Sequence, residues 1–69
     1  MQVWTTCWQE TGGGTSLKLQ VQRYRGGYRT RCAYQTGQTQ TVGRPGWLNL
    51  ALATADVRAA VLEVFPDAS

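Results

Sequence analysis

The feature that most constrains this chain is a pair of glycines, Gly26 and Gly27, set between two stretches that alternate apolar and polar residues. A two-residue type I′ turn needs positive φ at both central positions, and glycine meets that need without a Cβ clash. With Gly26-Gly27 as the turn, Arg25 pairs with Tyr28, Tyr24 with Arg29, Gln22 with Arg31, Val21 with Cys32, Leu19 with Tyr34 and Lys18 with Gln35. Leu17, Leu19, Val21, Cys32 and Tyr34 then share one face. Lys18, Gln20, Gln22, Tyr24, Arg29, Arg31, Ala33 and Gln35 share the other. Turn chemistry and side-chain sorting agree, so a hairpin of strands at about 16–25 and 28–36 anchors the fold.

The flanking segments supply the remaining elements. Residues 2–10, rich in aromatic and β-branched types, read as a strand that ends in the glycine run of 11–15. Residues 37–46 read as a flexible loop with a short extended piece around Thr39 to Val42. Residues 47–53 alternate again and predict a strand with Leu48, Leu50 and Leu52 as a buried row, although a helix can also be written through the same leucines and alanines. Thr54 as N-cap and Asp56 in the first turn start a helix over about 55–65, with Val57, Ala60, Val61 and Val64 on one stripe and Pro66 as the stop. The prediction is one α+β domain over 1–69: a four-stranded antiparallel sheet in the order β-β-β-β-α, with a C-terminal helix covering one face. A chain of 69 residues buries a modest share of its surface, so pairing as a homodimer is expected.

Charge is arranged rather than spread. Lys18, Arg23, Arg25, Arg29, Arg31 and Arg44 are six of the seven basic residues, and no acid falls between Glu10 and Asp56. A basic middle segment favours a polyanionic partner, although arginine on an exposed strand face also serves solubility alone. The chain has no histidine, so a histidine-dependent triad is excluded, and its two cysteines, 25 residues apart, have no second ligand pair for a metal. They fit buried thiols in a reducing compartment or, alternatively, one disulfide. The four carboxylates form no evident acid/base pair, so we expect a non-enzymatic protein with no cofactor and no metal. No apolar run approaches the ~18 residues of a membrane span, and the first residues lack the pattern of a signal peptide. The sequence therefore reads as soluble and cytoplasmic, with no membrane partner.

If the helix seals the leucine face, the other face is left to a partner. On the first strand either Val3, Thr5 and Cys7 or Trp4, Thr6 and Trp8 turn inward, and the sequence does not choose; the two indoles fit a core or a dimer seam as well as an open face. With Trp4 and Trp8 outward, aromatic rings stand among cations, and unstacked bases gain about 1–3 kcal/mol each on such rings while arginine and lysine neutralise phosphates. Lys18, Arg23, Arg25, Arg29, Arg31 and Arg44 are the candidate phosphate contacts. Trp4, Trp8, Tyr24, Tyr28 and Trp47 are the candidate stacking residues, and Gln20, Gln22 and Gln35 are candidates for base edges or sugars.

Gly43, Arg44 and Gly46, the strand holding Leu48 and Leu50, and the basic and aromatic content of Arg23 to Arg31 give the chain a pattern that resembles the transcriptional coactivator positive cofactor four family and its Whirly-like relatives. The helix start differs from the family's Asn-Pro-Glu, and lysine is nearly absent. The resemblance implies a homodimer that binds single-stranded DNA along its sheet. Two other readings use the same surface: a small protein-binding module or inhibitor, of phage or mobile-element type, set against an acidic protein partner, and an assembly subunit that buries the face against another copy.

Overall fold

The computed structural model describes residues 3–68. Five strands, β1 (Thr5–Gly12), β2 (Thr15–Tyr24), β3 (Gly27–Thr36), β4 (Thr39–Val42) and β5 (Gly46–Leu48), precede one helix, α1 (Ala55–Val64). The sheet is antiparallel in the order β1-β2-β3-β4, and β5 pairs with β3 beside β4. The fold is therefore α+β, with four strands in sequence, a fifth on the same edge, and a single C-terminal helix. Gln2, included in the predicted first strand, lies outside the described residues.

The central hairpin turns one residue earlier than the glycine pair predicts. Arg25, at φ 49°, and Gly26, at φ 77°, occupy the two positive-φ positions, so Tyr24 pairs with Gly27 and Leu19 with Cys32. Moving the turn by one residue changes the pairing by two, and a strand's side chains repeat every two residues. The two faces consequently keep the predicted composition. Gly27 bears on space rather than on the turn: a Cβ there would lie 3.3 Å from the Trp47 ring, which would have to shift by a few tenths of an ångström.

The extended piece expected at Thr39 to Val42 within the 37–46 loop is β4, closed onto β3 by the turn at Gly37 and Gln38. β4 and β5 form one interrupted edge strand, and in the break the Gly43 amide donates to the Cys32 carbonyl at 2.7 Å. The strand predicted over 47–53 stops at Leu48, which faces Tyr28; one residue further back, at Gly27, β3 begins from its hairpin turn and offers no further edge. Asn49 instead starts a turn, its side-chain oxygen accepting from the Ala51 amide at 3.0 Å. Leu50 drops into the core by this turn, and Leu52, expected in the buried row, is 83% exposed.

α1 begins as predicted, with the Thr54 hydroxyl accepting from the Val57 amide. It lies over the leucine face and closes a core of Val21, Leu50, Val61 and Ala68, against which Cys7, Tyr28, Leu48 and Phe65 pack. Ten helical residues span about 15 Å and ten-residue strands about 33 Å, so the helix covers only part of that face. The distal part leaves Trp8 and Tyr34 exposed.

Candidate nucleic-acid interface

β1 decides where the two early indoles go. Thr6 pairs with Gln20 and Trp8 with Leu19, which leaves Cys7 as the extra residue of a β-bulge. A regular strand would send Trp4 and Trp8 to the same side. The bulge instead lets Cys7 pack on the core, its thiol donating to the Leu19 carbonyl at 3.4 Å, and turns Trp8 to the helix side. Trp8 there borders an open groove of about 490 Å³ with Glu10, Leu19, Cys32 and Val57. Trp4 stays on the opposite, open face.

On that face one row crosses the sheet. Gln22 faces Arg29, and Arg29 faces Trp47. The β1 register carried one residue past Thr5 brings Trp4 beside Gln22. The Arg29 guanidinium lies 3.8 Å from the Tyr24 ring and 5.3 Å from the Trp4 ring, and that of Arg31 lies 4.3 Å from Trp4. Arg25 reaches the Tyr24 ring at 5.2 Å, and Tyr24 meets Trp47 at 5.8 Å between centroids. Cations and rings thus alternate from Trp4 to Trp47, each guanidinium held near the negative face of an aromatic ring. Trp47 can lie down against the sheet because Gly27 beneath it has no side chain.

The three candidate glutamines make hydrogen bonds within the protein. Arg29 donates through Nε to Gln22 Oε1 at 2.6 Å, and Arg31 donates through Nε to Gln20 Oε1 at 2.7 Å. Gln35 donates to the Gly37 carbonyl at 3.4 Å. Gln20 and Gln22 therefore each accept from the Nε edge of an arginine across the strand pair. Their signal in the sequence is the even spacing they share with Tyr24 opposite Arg29 and Arg31.

Electrostatically the two sides differ. Glu10 pairs across to Leu17 on the helix side, Asp56 and Glu63 belong to α1, and Asp67 follows it. No carboxylate shares the open face among the described residues. Six sequence-predicted residues, Trp4, Tyr24, Arg25, Arg29, Arg31 and Trp47, come together there, and Lys18 stands further along the same face opposite Ala33. Arg44 is exposed in the break between β4 and β5, and no strand pairing assigns it to a face.

Three predicted residues lie elsewhere. Arg23 is on the covered side, its Nη2 2.7 Å from Asp67 Oδ1 and its guanidinium 4.8 Å from the Phe65 ring. Tyr28, opposite Arg23, packs on Phe65 with centroids 5.3 Å apart. Trp8 is the third, turned over by the bulge. Their odd and even positions place Arg23 with Val21 and Tyr28 with Cys32, so alternation alone assigns both to the helix side.

Cys7 and Cys32 are free thiols. β2 separates their strands, about 9–10 Å apart, beyond the reach of a disulfide. Burial pushes the Cys7 thiol pKa up, partly offset by a backbone hydrogen bond. Among the described residues no group of three acidic, cysteine or histidine side chains is placed to hold a metal ion, and no helix is long and apolar enough to cross a membrane. No family model, no curated protein and no solved structure gives a significant match to this chain.

Proposed function

We propose that this chain is a non-enzymatic nucleic-acid-binding domain that prefers single strands, single-stranded DNA first among them. The observation that carries the reading is the row of rings and guanidiniums from Trp4 to Trp47 on a face with no carboxylate among the described residues. Arginine and lysine supply the sequence-independent attraction to phosphate, and Trp47, 66% exposed, offers a ring on which any base stacks. An open sheet face suits splayed-out bases better than the grooves of a duplex, which take a helix or ribbon. The resemblance to the positive cofactor four and Whirly-like pattern points the same way.

Pairing into a homodimer and a cytoplasmic location belong to the same proposal. The helix-side surface around Trp8 and Tyr34, left bare by the short helix, is apolar material for a second copy, and two free thiols suit a reducing compartment. Sedimentation or light scattering against concentration tests the first. For the main reading, labelled thymidine oligonucleotides are titrated across a salt series. Binding through three to five phosphates gives a slope of log K on log salt of about −2 to −3.5. Absent binding at low salt, or binding indifferent to salt, contradicts the proposal.

A further inference from the structure

Gln22 is the oddest residue on the open face. It is 3% exposed, yet its Nε2 donor has no hydrogen-bond partner. A buried amide donor without an acceptor destabilises a fold, and a 69-residue domain has little stability to spare. An apolar side chain of similar size would fill the place without that penalty. What an apolar residue does not supply is Oε1, which accepts from Arg29 Nε at 2.6 Å. The donor from Arg29 also fixes which end of the amide is which, leaving Nε2 as the orphan.

The bond has a geometric consequence. A guanidinium addresses an anion through its Nε side edge or through its Nη end, and the glutamine occupies the Nε edge. The same arrangement recurs two residues along β3, where Gln20 Oε1 takes Arg31 Nε at 2.7 Å and Gln20 Nε2 in turn donates to the Thr6 hydroxyl at 3.5 Å. Arg29 and Arg31 share a face about 6.7 Å apart along the strand, and both lie close to the Trp4 ring. Side-chain stems this long hold one direction only when something fixes them, and here each has a ring against its plane and an amide at its edge.

We infer that Gln22 is a positioning residue for phosphate recognition: it is retained for aiming the Arg29 guanidinium and not for stability, and Gln20 does the same for Arg31. The inference rests on the nucleic-acid reading and deepens it, because glutamines engaged with arginine are withdrawn from base edges. The site then reads the phosphodiester backbone and is indifferent to base sequence.

A double-mutant cycle between Gln22→Met and Arg29→Ala tests this, with affinity for a labelled thymidine oligonucleotide measured across a salt series and Tm measured for each variant. Gln22→Met keeps its Tm within about 5 °C of the wild type, binds about tenfold more weakly, and flattens the salt slope by about 0.7, one phosphate contact. In the Arg29→Ala background the same substitution changes affinity less than about twofold. Additive losses, wild-type binding by Gln22→Met, or a fall in affinity that only tracks a fall in Tm overturns the inference. If Gln22→Met does not fold, Gln22 is a structural residue and its part of the inference is overturned; the cycle of Gln20→Met with Arg31→Ala, on the less buried amide, then decides the part concerning Gln20 by the same criteria. A wild type that binds with a salt slope while neither cycle shows coupling leaves the nucleic-acid reading standing, whereas a wild type that fails to bind overturns both.

Discussion

Arginines on the two faces of this sheet meet different fates. On the covered side Arg23 pairs with Asp67 and lies over Phe65, and Arg58 donates to the carbonyls of Leu50, Ala51 and Ala53 at 3.0, 3.4 and 3.1 Å. Arg23 ties the segment after the helix to the sheet, and Arg58 ties the helix to the turn that precedes it. On the open side Arg29 and Arg31 lie against aromatic rings and the side-chain amides of Gln22 and Gln20. One residue type thus serves the fold on one face and leaves a cationic surface on the other. For the strand arginines the difference follows β-strand alternation, which turns Arg23 to the side of Asp67 and Arg29 and Arg31 to the opposite side.

The widest separation between the faces comes from removing each pair of arginines. Arg29→Ala with Arg31→Ala is expected to weaken oligonucleotide binding on the order of 100-fold for all sequences alike and to flatten the salt slope by about 1.4. Arg23→Ala with Arg58→Ala is expected to leave affinity within about threefold. It destabilises the fold by about 2 kcal/mol, most of it from Arg58, since the Arg23–Asp67 pair is exposed and such pairs are worth less than about 1 kcal/mol. Binding curves and thermal melts on both variants check the contrast, and a reversed pattern breaks it.

Smaller changes sharpen the open face. Gly27→Ala puts a Cβ 3.3 Å from the Trp47 ring. It should lift that ring off Tyr24 and cost about 1 kcal/mol, read as a drop in Tm and a red-shifted indole emission. Arg25→Asn relieves a side chain from φ 49°, where asparagine is tolerated in this turn type. Its Tm should rise by about 2–6 °C, while the salt slope flattens by at most about 0.7. The least effect is one of pH. Cys7 holds its proton more tightly in the fold than in the unfolded chain, so the unfolded state ionises first as pH rises. Stability is full below the ordinary thiol range and declines above it, and Cys7→Ala removes that part of the decline in alkaline melts.

How much was legible depended on what alternation can carry. The composition of the two faces was readable from β2 and β3 because a turn displaced by one residue preserves side-chain parity. The turn centre was not, since Gly26 serves either placement and the Trp47 ring that reserves Gly27 comes from 20 positions later. Parity marks Arg23 and Tyr28 as helix-side residues, whereas their basic and aromatic character alone matches the open face. The bulge at Cys7 that separates Trp4 from Trp8 has no glycine or proline to announce it. β5 is short because its partner strand ends, a tertiary limit that the alternation of Leu48, Leu50 and Leu52 does not contain.

The central claim is that the ligand meets the face of Trp4 and Trp47 and never the face of Trp8, which indole fluorescence reads directly. Thymidine oligonucleotide added at low salt should quench Trp8→Phe by the same absolute amount as the wild type, and should leave the emission of Trp4→Phe with Trp47→Phe unchanged. Quenching that survives in the latter variant, whose remaining indole is Trp8, would contradict the account.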